Sequence, residues 1–156
     1  MHSRRVLAAA LVMLGGAGMA QGRDLALISN KANNVPAMTL ADLVKVCKGQ
    51  TNRWPDGKPV TFITRDPAAL EMKLVLDKVY GMSKAEVKAV IANANHGRAD
   101  HPAIIVVESD EAAVKKVEST PGAVGLVDVY SIGGGVTVLK VSGKLPLEPG
   151  YVLHGN

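Results

Sequence analysis

Two imidazoles and a carboxylate fall within six residues in His96-x-x-x-Asp100-His101, the side-chain types that hold zinc or copper. Gly97 and Pro102 mark the segment as a loop, and an i, i+5 spacing there does not fix both rings on one ion. His154 lies far along the chain, and nothing in the sequence brings it to the pair. The segment therefore reads as a surface connection. Cys47 is the sole cysteine, so no intramolecular disulfide can form; it falls on an apolar helix face, where burial disfavours the reactive thiolate. Neither Gly-x-Ser-x-Gly nor Gly-x-x-x-x-Gly-Lys-Ser/Thr occurs, and no helix follows Gly133-Gly134-Gly135. The residues carry no enzyme signature, and no cofactor is implied.

The elements that would position these groups alternate between β-like and helical patterns, which argues for an α/β fold. Residues 24–29 read as a strand. Thr39 caps a helix whose Leu40, Leu43, Val44 and Cys47 share a face, with Gly49 as its stop. Trp54-Pro55-Asp56-Gly57 is a turn with the tryptophan packed beneath the loop, followed by a strand over 60–63 that runs into Thr64-Arg65. Asp66 reads as an N-cap and Pro67 as the first residue of a helix reaching Gly81. Ser83 and Glu86 form a capping box for the next helix, which Asn95-His96-Gly97 ends. Residues 103–107 are apolar on both sides and are expected inside the sheet. Ser109 caps a further helix, closed by Thr120-Pro121-Gly122, and strands follow over 123–127 and 136–141.

Arg4 and Arg5, the apolar run 6–14 and the small residues 15–20 have the layout of a signal peptide with cleavage after Ala20. The run falls short of the roughly 20 residues a membrane span needs. Residues 21–156 then form a single exported domain, periplasmic in a Gram-negative cell. The formal charge of +4 (18 basic, 14 acidic) drops to +2 without the two leader arginines, too little for a nucleic-acid footprint.

Residues 25–57, with a strand, a polar break, a Leu-x-x-Leu helix, Lys48-Gly49 and Trp54-x-Asp56-Gly57, resemble the second half of phosphate-type periplasmic substrate-binding proteins. Ser109-Asp110-Glu111, Thr120-Pro121-Gly122-Ala123-Val124-Gly125 and Val136-x-Val138-Leu139-Lys140-Val141-x-Gly143 extend the likeness across the chain after the leader. The resemblance implies a mixed sheet flanked by helices. Members of the family enclose an anion between two such lobes, and the segment resembling the first crossing strand begins at Asp24, so a one-lobe version of the fold is expected. One lobe leaves much of a ligand in water, whereas good sites bury about 70–90% of it.

The family holds phosphate with an arginine after the second strand and a Ser-Gly-Thr at a helix start. Arg65 stands at the arginine's place, but Asp66-Pro67-Ala68-Ala69 replaces the hydroxyl-bearing run with a carboxylate, a residue lacking N–H and two alanines. Arg65 is thus either a weak anion contact or an arginine paired with a neighbouring carboxylate. Thr64, Ser29 and Asn30, near strand ends on the face that would line the cleft, are the other candidate ligand contacts. Two functions follow. One is a transport-related module that binds phosphate or a similar oxyanion, alone or completed by another chain. The other is an accessory module with a decayed site, acting as a homodimer or through a protein partner. The residues do not identify a membrane transporter.

Overall fold

Every residue of β1 (Leu25–Asn30) except the first is buried, the pattern of a strand covered on both faces. In this computed structural model, which describes residues 23–35 and 37–155, β1 lies between β4 (Ala123–Asp128) and β5 (Val136–Leu139), antiparallel to both. β2 (Thr61–Arg65) runs parallel to β4 on one side and to β3 (Ile104–Val107) on the other. The sheet is mixed, in the order β3-β2-β4-β1-β5, and only β1 opposes the common direction.

Alternation along the strands divides the core in two. Ala26, Ile28, Ile63, Val127 and Val136 meet Ala113, Val114 and Val117 of α4 (Asp110–Ser119). Leu27, Phe62, Ile104 and Leu126 face the opposite layer, built from α1 (Leu40–Cys47), a composite segment α2 (70–80), α3 (Lys84–Asn95) and the C-terminal Tyr151 and Leu153. Each Val, Leu, Ile or Phe side chain so removed from water contributes about 1.5–3 kcal/mol, against the entropy of ordering it. Thr39 Oγ1 accepts from the Asp42 N–H, Ser109 Oγ from the Ala112 N–H, and Ser83 with Glu86 forms the full capping box.

The expected start at Pro67 is corrected. Asp66 Oδ1 accepts from the Ala68 N–H and its carbonyl from the Ala69 N–H, so the segment closes as a turn. Helical structure begins only at Leu70, as a 3-10 turn (Leu70–Met72), one α turn (Lys73–Val75) and a π stretch (Leu76–Tyr80) ended by Gly81. Asp66 found a local partner two residues on, the competition that makes aspartate a turn residue as readily as a cap.

The second correction concerns β3, which is at the sheet's edge. Val106 is 43% exposed. The edge is protected by a side chain: Asn95 Nδ2 donates to the Ile104 carbonyl (2.9 Å) and its Oδ1 accepts from the Ile104 N–H (3.0 Å). A continuous apolar run is the pattern of an interior strand, but here only Ile104 of β3 is buried, and the run does not say whether a strand lies on each side.

Trp54 is buried with its indole N–H donating to the Gly122 carbonyl at 2.8 Å. Gly122 itself has φ +90°, and a Cβ there would stand 2.1 Å from the Pro59 carbonyl oxygen, so only glycine fits. Cys47 is fully buried, and burial pushes its thiol pKa well up. The expected signal peptide lies outside the described residues; among the residues described, no helix is long and apolar enough to cross a membrane.

Candidate functional site

Parallel strands end together, and where β2 and β4 end, beside the start of β1, the chain forms a cleft of about 610 Å³. Such carboxyl ends are where open α/β sheets bind ligands. Arg65, the last residue of β2, reaches the cleft with its side chain 16% exposed. Its Nη1 donates to Asp110 Oδ1 at 3.2 Å, and its Nη2 contacts Glu71 Oε1 at 3.4 Å. Asp110 is fixed in turn, because its other oxygen accepts from the Asp128 N–H at 2.9 Å.

The two contacts are unequal. Asp110 is 14% exposed and tied to the end of β4, so its charged hydrogen bond is worth about 1.5–3 kcal/mol. Glu71 is 60% exposed and reaches Arg65 only at the limit of hydrogen bonding, the kind of surface pair worth about 0.2–1 kcal/mol. One edge of the Arg65 guanidinium is therefore locked and the other is lightly covered.

Arg23, Asp24 and Asp128 are paired as well. Arg23 donates to Asp128 Oδ2 at 2.7 Å and lies over the exposed Tyr130 ring, 5.5 Å from its centre. Asp24, 2% exposed, contacts His154 Nδ1 at 2.6 Å and accepts from the Leu147 N–H at 2.7 Å, which fastens the C-terminal segment to the start of β1. Lys73 and Asp77 complete a lining of three basic and five acidic residues, with Leu70, 91% exposed, at its mouth. Among the described residues, no group of three or more His, Cys, Asp or Glu could hold a metal ion.

The structure brings only Arg65 of the four sequence candidates to this cleft. Thr64 points to the opposite face of the sheet, is buried, and sits 3.7 Å from Met72 Sδ. Ser29 and Asn30 lie at the other end, because antiparallel β1 puts Ser29 beside Val124 and Leu25 beside Asp128. Asn30 Nδ2 donates to the Val117 and Glu118 carbonyls at the end of α4, and Ser29 Oγ accepts from Asn33 Nδ2. Sequence reasoning did not identify Glu71, Asp110, Arg23 and Asp128 as the groups around Arg65. The one available signal was Asp110, the first residue of a capped helix following a parallel strand.

The chain is a single α/β domain with the periplasmic-binding-protein-like fold. Its solved likenesses include an ABC-type phosphate transport receptor from Vibrio cholerae (TM-score 0.69, 19% identity, 86% of this chain and 55% of that one). PstS from Borrelia burgdorferi aligns with TM-score 0.66 and 19% identity over 87% of this chain and 56% of that one. A phosphate-binding protein from Stenotrophomonas maltophilia gives 0.60 and 15% over 81% and 41%. This chain thus spans about half the length of the receptors it matches. No protein-family model and no curated protein matches it by sequence.

Proposed function

We propose that this chain is an exported, non-enzymatic binding domain that takes phosphate or a similar oxyanion weakly at Arg65. The observation that carries the reading is the position of Arg65, at the carboxyl end of a parallel strand in a cleft, in a fold shared with phosphate receptors. An arriving oxyanion takes the place of the Glu71 carboxylate on the outer edge of the guanidinium, while Asp110 keeps the inner edge. Exchanging an anion for the exposed Glu71 costs little; displacing Asp110 as well would cost several times more. Binding is weak because five carboxylates and three cations line the cleft, so a phosphate dianion enters a net negative field. Thr64, Ser29 and Asn30 have no part in this proposal.

Calorimetric titration of phosphate into the protein tests it. A dissociation constant of about 0.1–10 mM is expected, equivalent to roughly −3 to −5.5 kcal/mol. Arg65→Ala removes the heat, and Glu71→Gln tightens binding by about 1.4- to 5-fold, the worth of the exposed pair it abolishes. Absence of heat at about 10 mM phosphate, or an undiminished signal in Arg65→Ala, defeats the proposal.

A further inference from the structure

At the opposite end of the sheet, before β2 and β3 begin, loops around 52–60 and 97–101 enclose an open groove of about 860 Å³. Two arginines line it, and both are held by neutral acceptors. Arg98 Nη2 donates to Asn52 Oδ1 at 2.9 Å, and Arg53 Nη1 donates to the Gly57 carbonyl at 2.8 Å. Neither takes part in the ion pairs among the described residues, which engage Arg23, Lys58, Arg65 and His154. This inverts the arrangement at Arg65, where two carboxylates spend the guanidinium's charge. A guanidinium fixed by an amide or carbonyl keeps its full charge and most of its five N–H donors, already oriented.

We propose that this groove docks an extended acidic segment of a partner protein, whose carboxylates pair with Arg53 and Arg98. Charge complementarity selects the occupant: of the groove's lining residues only Asp100 is acidic, against two unneutralised arginines and His101. The form of the groove selects a chain over a free ion. It is open and larger than the cleft at Arg65, and its two cations come from separate loops, which carboxylates spaced along a strand-like peptide can meet in turn. This surface is independent of the oxyanion proposal, since Arg65 lies at the far end of β2.

Fluorescently labelled octaglutamate is the probe, with anisotropy read at an ionic strength of about 10 mM, where the Debye length is about 30 Å. Octaglutamate is expected to bind, to weaken as ionic strength rises to about 0.15 M, and to lose at least about tenfold in Arg53→Ala/Arg98→Ala. Arg65→Ala retains it, which separates this surface from the oxyanion cleft. Trp54, the only tryptophan and the neighbour of Arg53, gives a second readout through a change in its emission. If the double alanine variant loses its far-ultraviolet circular dichroism, Arg53→Gln alone, at an exposed residue flanking the turn, is expected to weaken binding in the same direction. The inference is overturned if octaglutamate does not bind, if the arginine variants bind it as the parent does, or if inorganic phosphate at matched ionic strength displaces it, which would make this a free-oxyanion site.

Discussion

Asn30 is buried between β1 and the end of α4, and each part of its carboxamide is in use. The Nδ2 donates to the Val117 and Glu118 carbonyls at 2.8 and 3.0 Å, and Oδ1 accepts from the Ala32 N–H at 2.8 Å. Helix-terminal carbonyls are short of partners within their own helix, and since among the described residues Val117 otherwise accepts only from the Thr120 N–H at 3.4 Å, this side chain adds the closer bond at the end of α4. Asn30→Ala is expected to lower stability by about 1–3 kcal/mol in urea denaturation, because it strands buried polar groups. Asn30→Asp should cost more than Asn30→Ala at neutral pH, since a carboxylate would then face two carbonyl oxygens with no proton to offer. An aspartate variant as stable as the parent would contradict this cap. The sequence marks Asn30 as polar and near a strand end. Its role depends on a helix end 87 residues away, which only the folded chain brings alongside.

At the scale of elements, α3 carries the clearest pH dependence. The Ser83 N–H donates to Glu86 Oε1 at 3.0 Å, and this backbone hydrogen bond is the main cause holding the Glu86 pKa below its usual value of 4.5. A carboxyl whose folded pKa is depressed adds stability above its unfolded pKa and loses it as pH falls through the folded one. The first turn of α3 should therefore loosen below about pH 4.5. Glu86→Gln should be less stable than the parent at neutral pH and match it in acid, as read by thermal unfolding at both pH values. Ser83→Ala should cost about 0.5–2 kcal/mol, the usual worth of such a cap. These caps were legible because a serine and a glutamate three residues apart before an apolar run have few other uses. Strand direction and position were not legible. β1 reverses the sheet's common direction, which moved Ser29 and Asn30 to the end away from Arg65. The apolar run of β3 was compatible with either an interior or an edge position. The late start of α2 and the contact of Glu71 with Arg65 share one cause. The side chain of Asp66 closed a turn two residues on, and that turn set where the helix could begin.

For the whole molecule, the likeness to phosphate receptors resides in the sheet and its two helical layers, with 19% identity to the Vibrio receptor. Alternating β-like and helical patterns pointed to an α/β fold from sequence, and the resemblance of short motifs such as Trp54-x-Asp56-Gly57 and Thr120-Pro121-Gly122 to phosphate-type binding proteins supplied the architecture, whereas the pairing of charges across its two ends was not legible. We propose cleavage after Ala20, so mass measurement of material secreted by a Gram-negative host should give a chain starting at Gln21. A retained leader would remove the periplasmic assignment.

The carboxamide of Asn95 has a further consequence. By answering both outward groups of Ile104 it acts as a single rung of an absent neighbour, so a second chain adding along that rim would meet a position already filled. On this margin of the sheet one amide thus occupies one rung of β3, and at that rung the strand of four β-branched residues is closed to a copy of itself.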